Sequence, residues 1–113
     1  MLIIAIVFLL LTALFGSILL NAILKNKRPP QPIVLLHGSA AFLSLLILVS
    51  YIAAGHTDYI LIASFICFII AALGGTTLLI FEIKRKPLPK VVALLHPLLG
   101  LIAFVLLIIY FLR

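Results

Sequence analysis

Four long apolar runs separated by short polar breaks organise this chain. Residues 2–24 are apolar apart from Thr12, Ser17 and Asn21, and lead into Lys25-Asn26-Lys27-Arg28-Pro29-Pro30-Gln31-Pro32. Residues 33–54 form a second run, closed by Gly55-His56-Thr57-Asp58. Residues 59–81 form a third, ended by Glu82-Ile83-Lys84-Arg85-Lys86-Pro87-Leu88-Pro89-Lys90, and residues 91–112 a fourth, with Arg113 last. Each run has about the 20 residues a helix needs to cross a bilayer. None shows the alternation of a half-buried strand, and in hydrocarbon only helices and closed barrels satisfy their own backbone hydrogen bonds. The pattern predicts an all-α integral membrane protein, a four-transmembrane-helix bundle with short loops.

Composition agrees and excludes the main alternatives. Of 113 residues, 67% are hydrophobic and 9% charged. Soluble domains average about 45–50% apolar and about 25% charged residues, and a domain this small still exposes much of its chain to water. A soluble enzyme, a disordered segment and a nucleic-acid-binding domain are ruled out. The single cysteine, Cys67, excludes an intramolecular disulfide, and mid-span it reads as a small hydrophobe.

The net charge of +6 is explained by topology. Lys25, Lys27 and Arg28 lie in the first loop, and Lys84, Arg85, Lys86 and Lys90 in the third. Arg113 and Asp58 fall at the other side. The positive-inside rule then places both Lys/Arg loops in the cytoplasm and both termini outside, with a cell inner membrane as the expected location. Tyr51, Tyr59, Tyr110 and Phe111 fall at the outer interface, where aromatic rings gather. The first run has no positive segment before it and its charges follow it, so it reads as a retained span rather than a cleaved signal. The Lys/Arg loops are also placed to touch anionic headgroups, and Glu82 reads as a solvated interfacial carboxylate.

Shifting the sequence by 59 superimposes its halves. Gly16 falls on Gly75, Lys25 on Lys84, Lys27 on Lys86, Pro30 on Pro89, His37 on His96 and Tyr51 on Tyr110. Such residues are rare here, so matches among them carry weight that leucine matches do not. The single transmembrane domain, residues 1–113, therefore divides into repeat 1 (about 1–54) and repeat 2 (about 60–113). Each repeat is a hairpin with an even number of spans, so both have the same orientation and share a pseudo-two-fold axis along the membrane normal. His37 and His96 then lie at equal depth, about 7 Å below the basic surface at 1.5 Å per residue. Residues four and seven positions on share each histidine's face, and these are Ala41 and Ser44 in one copy, Gly100 and Ala103 in the other. Gly16 and Gly75 come at a similar depth, with Thr12 and Ala71 one turn deeper.

Small residues in membrane helices commonly serve close packing, and a lone imidazole can simply donate to a carbonyl. The combination suggests more. Two equivalent histidines lie at one depth, with a layer of small residues beneath and a ring of Lys and Arg above. A haem b fits that arrangement: axial imidazoles from His37 and His96 on the iron, space for the ring beside Gly16, Gly75, Ala41, Gly100, Ser44 and Ala103, and anionic propionates near Lys25, Lys27, Arg28, Lys84, Arg85 and Lys86. In these residues the chain resembles transmembrane b-type cytochromes, four-helix bundles in which paired histidines on different helices clamp haem. Members of that group often carry four such histidines and two haems, whereas this chain has one pair. His56 has no mate in the repeat and reads as a loop histidine. The resemblance implies electron transfer with a quinone or a membrane redox partner, as a component of a membrane oxidoreductase. With one haem near one face, transfer across the bilayer needs that partner.

Two other classes compete. Small four-helix transporters match in length, but need a carboxylate within the first span to exchange protons for cations, and the first span here has none. Histidine titrates near neutrality, so the pair could relay protons, but proton-coupled export of a cation then lacks its binding charge. A non-catalytic accessory or assembly subunit would use the same bundle without a chromophore. A zinc site would need more than two histidines. Nothing on the lipid-facing sides forbids a homodimer.

Overall fold

The computed structural model describes all 113 residues. It is all-helical: α1 Leu2–Leu24, α2 Gln31–Ala53, α3 Tyr59–Ile83 and α4 Lys90–Leu112. All four helices are long and apolar enough to cross a membrane. The bundle measures 42 × 23 × 21 Å, and its long axis matches the roughly 40–45 Å of a bilayer with its headgroups. Many large apolar side chains face outward, among them Leu35, Phe42, Leu73 and Leu101, as expected for helices solvated by lipid tails.

Local chemistry explains the helix ends. α1 and α3 close with the same motif, a residue in the left-handed region at Asn26 (φ 56°) and Arg85 (φ 54°). At α1 the Lys27 and Asn26 N–H groups donate to Ala22 and Ile23, and at α3 those of Lys86 and Arg85 donate to Phe81 and Glu82. This is the Schellman arrangement, which satisfies carbonyls left over at a helix end. Gly55 (φ 106°) follows the end of α2, where a side chain would be strained. Asp58 caps α3 by accepting from the Ile60 N–H at 2.8 Å.

Two boundaries differ from the apolar runs. α2 begins at Gln31, two residues before its run, because Pro30 caps it and Pro32 lies in its first turn, where a proline's missing N–H costs nothing. α3 continues two residues past its run, through Glu82. Glu82 is also not a solvated carboxylate. It is 7% exposed, and its Oε1 accepts from Arg28 Nε at 3.0 Å, a partner 54 positions away on the other hairpin.

The two repeats are two hairpins, α1 with α2 and α3 with α4. Helices pack closely within each hairpin and more sparingly between hairpins, where α1 meets α4 and α2 meets α3. α2 and α4 are therefore diagonal. The main hydrophobic cluster is Ala5, Leu9, Leu48, Leu61, Phe68, Ala103 and Leu107. All of these lie on the tyrosine side of Gly16, Ala41, Gly75 and Gly100. Toward the basic end the buried apolar residues are small, Ala40, Ala93 and Pro29, and larger ones such as Ile23, Val34, Phe81 and Val92 are only half-buried. The buried large apolar side chains thus lie in the tyrosine half of the bundle.

Candidate functional site: a histidine pair on the pseudo-axis

Each histidine is set by the helix preceding it in its own hairpin. His37 Nδ1 lies 2.9 Å from the Thr12 main-chain oxygen, and His96 Nδ1 lies 2.6 Å from that of Ala71. A carbonyl only accepts, so each Nδ1 carries a proton and donates; in the neutral tautomer with that proton, the lone pair is on Nε2. Thr12 and Ala71 are 59 apart, as are the histidines, so the bond repeats with the hairpin. Helix residues normally commit their carbonyls to the N–H four positions on; these two carbonyls accept the imidazole as a further partner through their second lone pair.

Gly16 and Gly75 make this possible. A Cβ at Gly16 would lie 3.0 Å from His37 Cε1, and one at Gly75 would lie 3.0 Å from His96 Cε1. Gly16 and Gly75 are expected from the sequence to leave room for a macrocycle; in the structure the imidazoles lie in that space. Open room exists instead at Gly100, where a Cβ would meet nothing within 4 Å. Ala41, its repeat mate, is half-buried, while Ser44 and Ala103 are fully buried. Ser44 donates to Ala40 of its own helix at 2.8 Å. Ala103 belongs to the packed cluster and its carbonyl accepts from Ser64 at 2.7 Å.

Across the pseudo-axis the two rings come together. Their centres are 5.9 Å apart and their planes are inclined at 80°. Both side chains are half-buried. A metal ion held by two imidazole nitrogens at about 2 Å each separates the ring centres by roughly 6 Å. The observed separation is close to that value, and it is equally that of an edge-to-face contact between the two rings. No third His, Cys, Asp or Glu joins them.

The basic residues divide into two groups. Lys27, Arg28, Arg85 and Lys86 line a cavity of about 540 Å³ at the end of the bundle, together with Lys90. Lys25 and Lys84 are exposed and lie outside its lining. Lys90 enters this wall although its only visible sequence role was as a loop charge. At the opposite end, Tyr51 and Tyr110 meet across the axis with hydroxyl oxygens 3.2 Å apart. His56 stacks on Tyr51, ring centres 3.8 Å apart, and its Nδ1 donates to the Tyr51 carbonyl at 2.9 Å. Asp58 and Arg113 pair there at 3.5 Å.

No protein-family model, no curated protein and no solved structure matches this chain. Its functional reading rests on the residues alone.

Proposed function

We propose that this chain is a small integral membrane haem b protein, with His37 and His96 as the two axial ligands. The observation that carries the reading is the paired geometry of these imidazoles: ring centres 5.9 Å apart, and both Nδ1 atoms committed to main-chain carbonyls. A ligating histidine is typically oriented by a hydrogen bond from its other ring nitrogen, and the Thr12 and Ala71 carbonyls supply that bond twice. The small size of the buried apolar side chains toward the basic end also favours a cofactor there. A bound haem would supply reversible one-electron chemistry. His37 and His96 would hold the iron, Ala41 and Gly100 would leave flanking room, and Lys27, Arg28, Arg85 and Lys86 would neutralise the propionates, with Lys25 and Lys84 adding to the positive field.

The same reading places the four helices across a cell inner membrane, with the basic end in the cytoplasm and the termini outside. Electron exchange is with a quinone or a membrane redox partner. Cation transport fits less well, because both carboxylates sit at the bundle ends and are already ion-paired. A bare zinc ion also fits less well, since zinc takes four ligands and the pair supplies two.

The test is an absorption spectrum of detergent-purified protein, air-oxidised and then dithionite-reduced, beside His37→Ala and His96→Ala. The expected result is a Soret band with sharp reduced α and β bands, lost in each variant. A protein that is colourless and stays so after haem is added overturns the proposal.

A further inference from the structure

The cavity at the basic end is bounded by both hairpins. Lys27 and Arg28 come from the first, and Arg85, Lys86 and Lys90 from the second. Glu82 is the one carboxylate in its wall, and it is engaged by Arg28 at 3.0 Å. Five positive charges against one negative leave a formal excess of four. At this end the Arg28–Glu82 bridge is the ion pair that joins the hairpins. The remaining like charges on opposite walls repel each other, and a bound anion between them relieves that repulsion.

We infer that this cavity binds a phosphate group, which bridges the two hairpins. Lysine ammonium groups offer three donors each and arginine a planar fork of donors, both suited to phosphate oxygens. The cavity opens at the end of the apolar helices, the depth at which phospholipid phosphates lie. Free phosphate from solution presents the same chemistry. The inference uses none of the histidine geometry; a bound haem's propionates would compete with phosphate for Lys27, Arg28, Arg85 and Lys86, so the titration uses haem-free protein.

The sequence provides a matched control. Lys27 and Lys86 are repeat mates and line the cavity; Lys25 and Lys84 are repeat mates, two residues earlier, and do not. The experiment is native mass spectrometry of the full chain in detergent, titrated with phosphatidylglycerol, with phosphatidylcholine of the same acyl chains, and separately with inorganic phosphate. One retained phosphatidylglycerol per chain is expected. The K27Q/K86Q variant should bind it roughly thirty-fold more weakly, at roughly five-fold for each lysine near an anionic headgroup. The K25Q/K84Q variant, with the same loss of charge, should stay close to wild type. Binding of inorganic phosphate with the same dependence, and its displacement of the lipid, assigns the site to free phosphate; lipid binding without competition assigns it to the headgroup. Thermal unfolding checks that both variants fold, and only wild type and K25Q/K84Q should gain stability from the bound anion. Equal weakening in both variants, or no binding of lipid or phosphate, overturns the inference.

Discussion

Replacing Gly16 by alanine tests the logic of the histidine site at the level of single atoms. The new Cβ would stand 3.0 Å from His37 Cε1 and 3.3 Å from its Nδ1, where comfortable carbon contacts are about 3.5–4.0 Å. The ring cannot swing aside freely, because its Nδ1 is tied to Thr12, one turn from Gly16 on the same helix. Relief comes at the expense of that bond, about 0.5–1.5 kcal/mol, with crowding of about 1–3 kcal/mol. Against this, alanine is favoured over glycine within a helix by about 0.5–1 kcal/mol. Combining these terms, the net expectation is a loss of about 0.5–4 kcal/mol, centred near 2. Gly100→Ala is the internal control: its Cβ meets nothing within 4 Å, so only the helix preference acts and stability holds or rises. The assay is equilibrium unfolding in mixed micelles by SDS titration, followed by near-ultraviolet circular dichroism, and haem content is read on the same samples. Gly75→Ala should behave as Gly16→Ala, since its Cβ would also lie 3.0 Å from a histidine Cε1. If Gly16→Ala were as stable as Gly100→Ala, the claim that glycine seats the imidazole would be refuted.

Other expectations follow from individual contacts. Tyr51→Phe and Tyr110→Phe each remove the one hydroxyl contact between the tyrosines, so each should cost about 0.5–1.5 kcal/mol, and the double variant should cost less than the two summed in a double-mutant cycle. Ser64→Ala breaks a bond from α3 to the Ala103 carbonyl of α4 and should destabilise the second hairpin by about 0.6–1.7 kcal/mol; Ser44→Ala, whose hydroxyl bonds only within its own helix, should cost less by the same SDS titration. Topology is read by single cysteines at Asn26 and His56 in a Cys67→Ala background: a membrane-impermeant maleimide should label only the His56 site in intact cells, and labelling of Asn26 alone would reverse the proposed orientation.

The helices and the repeat were legible because polar residues are rare in this chain. Each one marks a boundary or a register, and the offset of 59 needed only a few of them. His37 and His96 stood out for the same reason, and the structure brings them together across the axis. The role of Gly16 and Gly75 was less visible: a matched glycine signals close approach, but not which group fills the gap. The carbonyls of Thr12 and Ala71 left no trace, because a main-chain acceptor works with any side chain, here threonine in one copy and alanine in the other. Glu82 was misread because its partner Arg28 lies on the other hairpin, and the repeat gives no guide there: Arg28 falls on Pro87 and Glu82 on Ile23. Tyr51 and Tyr110 read as interfacial aromatics from composition, although their shared offset already pointed to the axis.

The Arg28–Glu82 bridge occurs once, whereas the histidine bonds, the helix-ending turns and the tyrosine contact respect both halves. A single hairpin paired with its own copy would already assemble everything in the second group. Residues 54–58 then only join two units that already carry the same contacts. The halves differ where threonine at 12 answers alanine at 71, where glycine at 38 answers proline at 97, and in the one-sided bridge. The centre on the axis is what the two halves share, and the asymmetry lies around it.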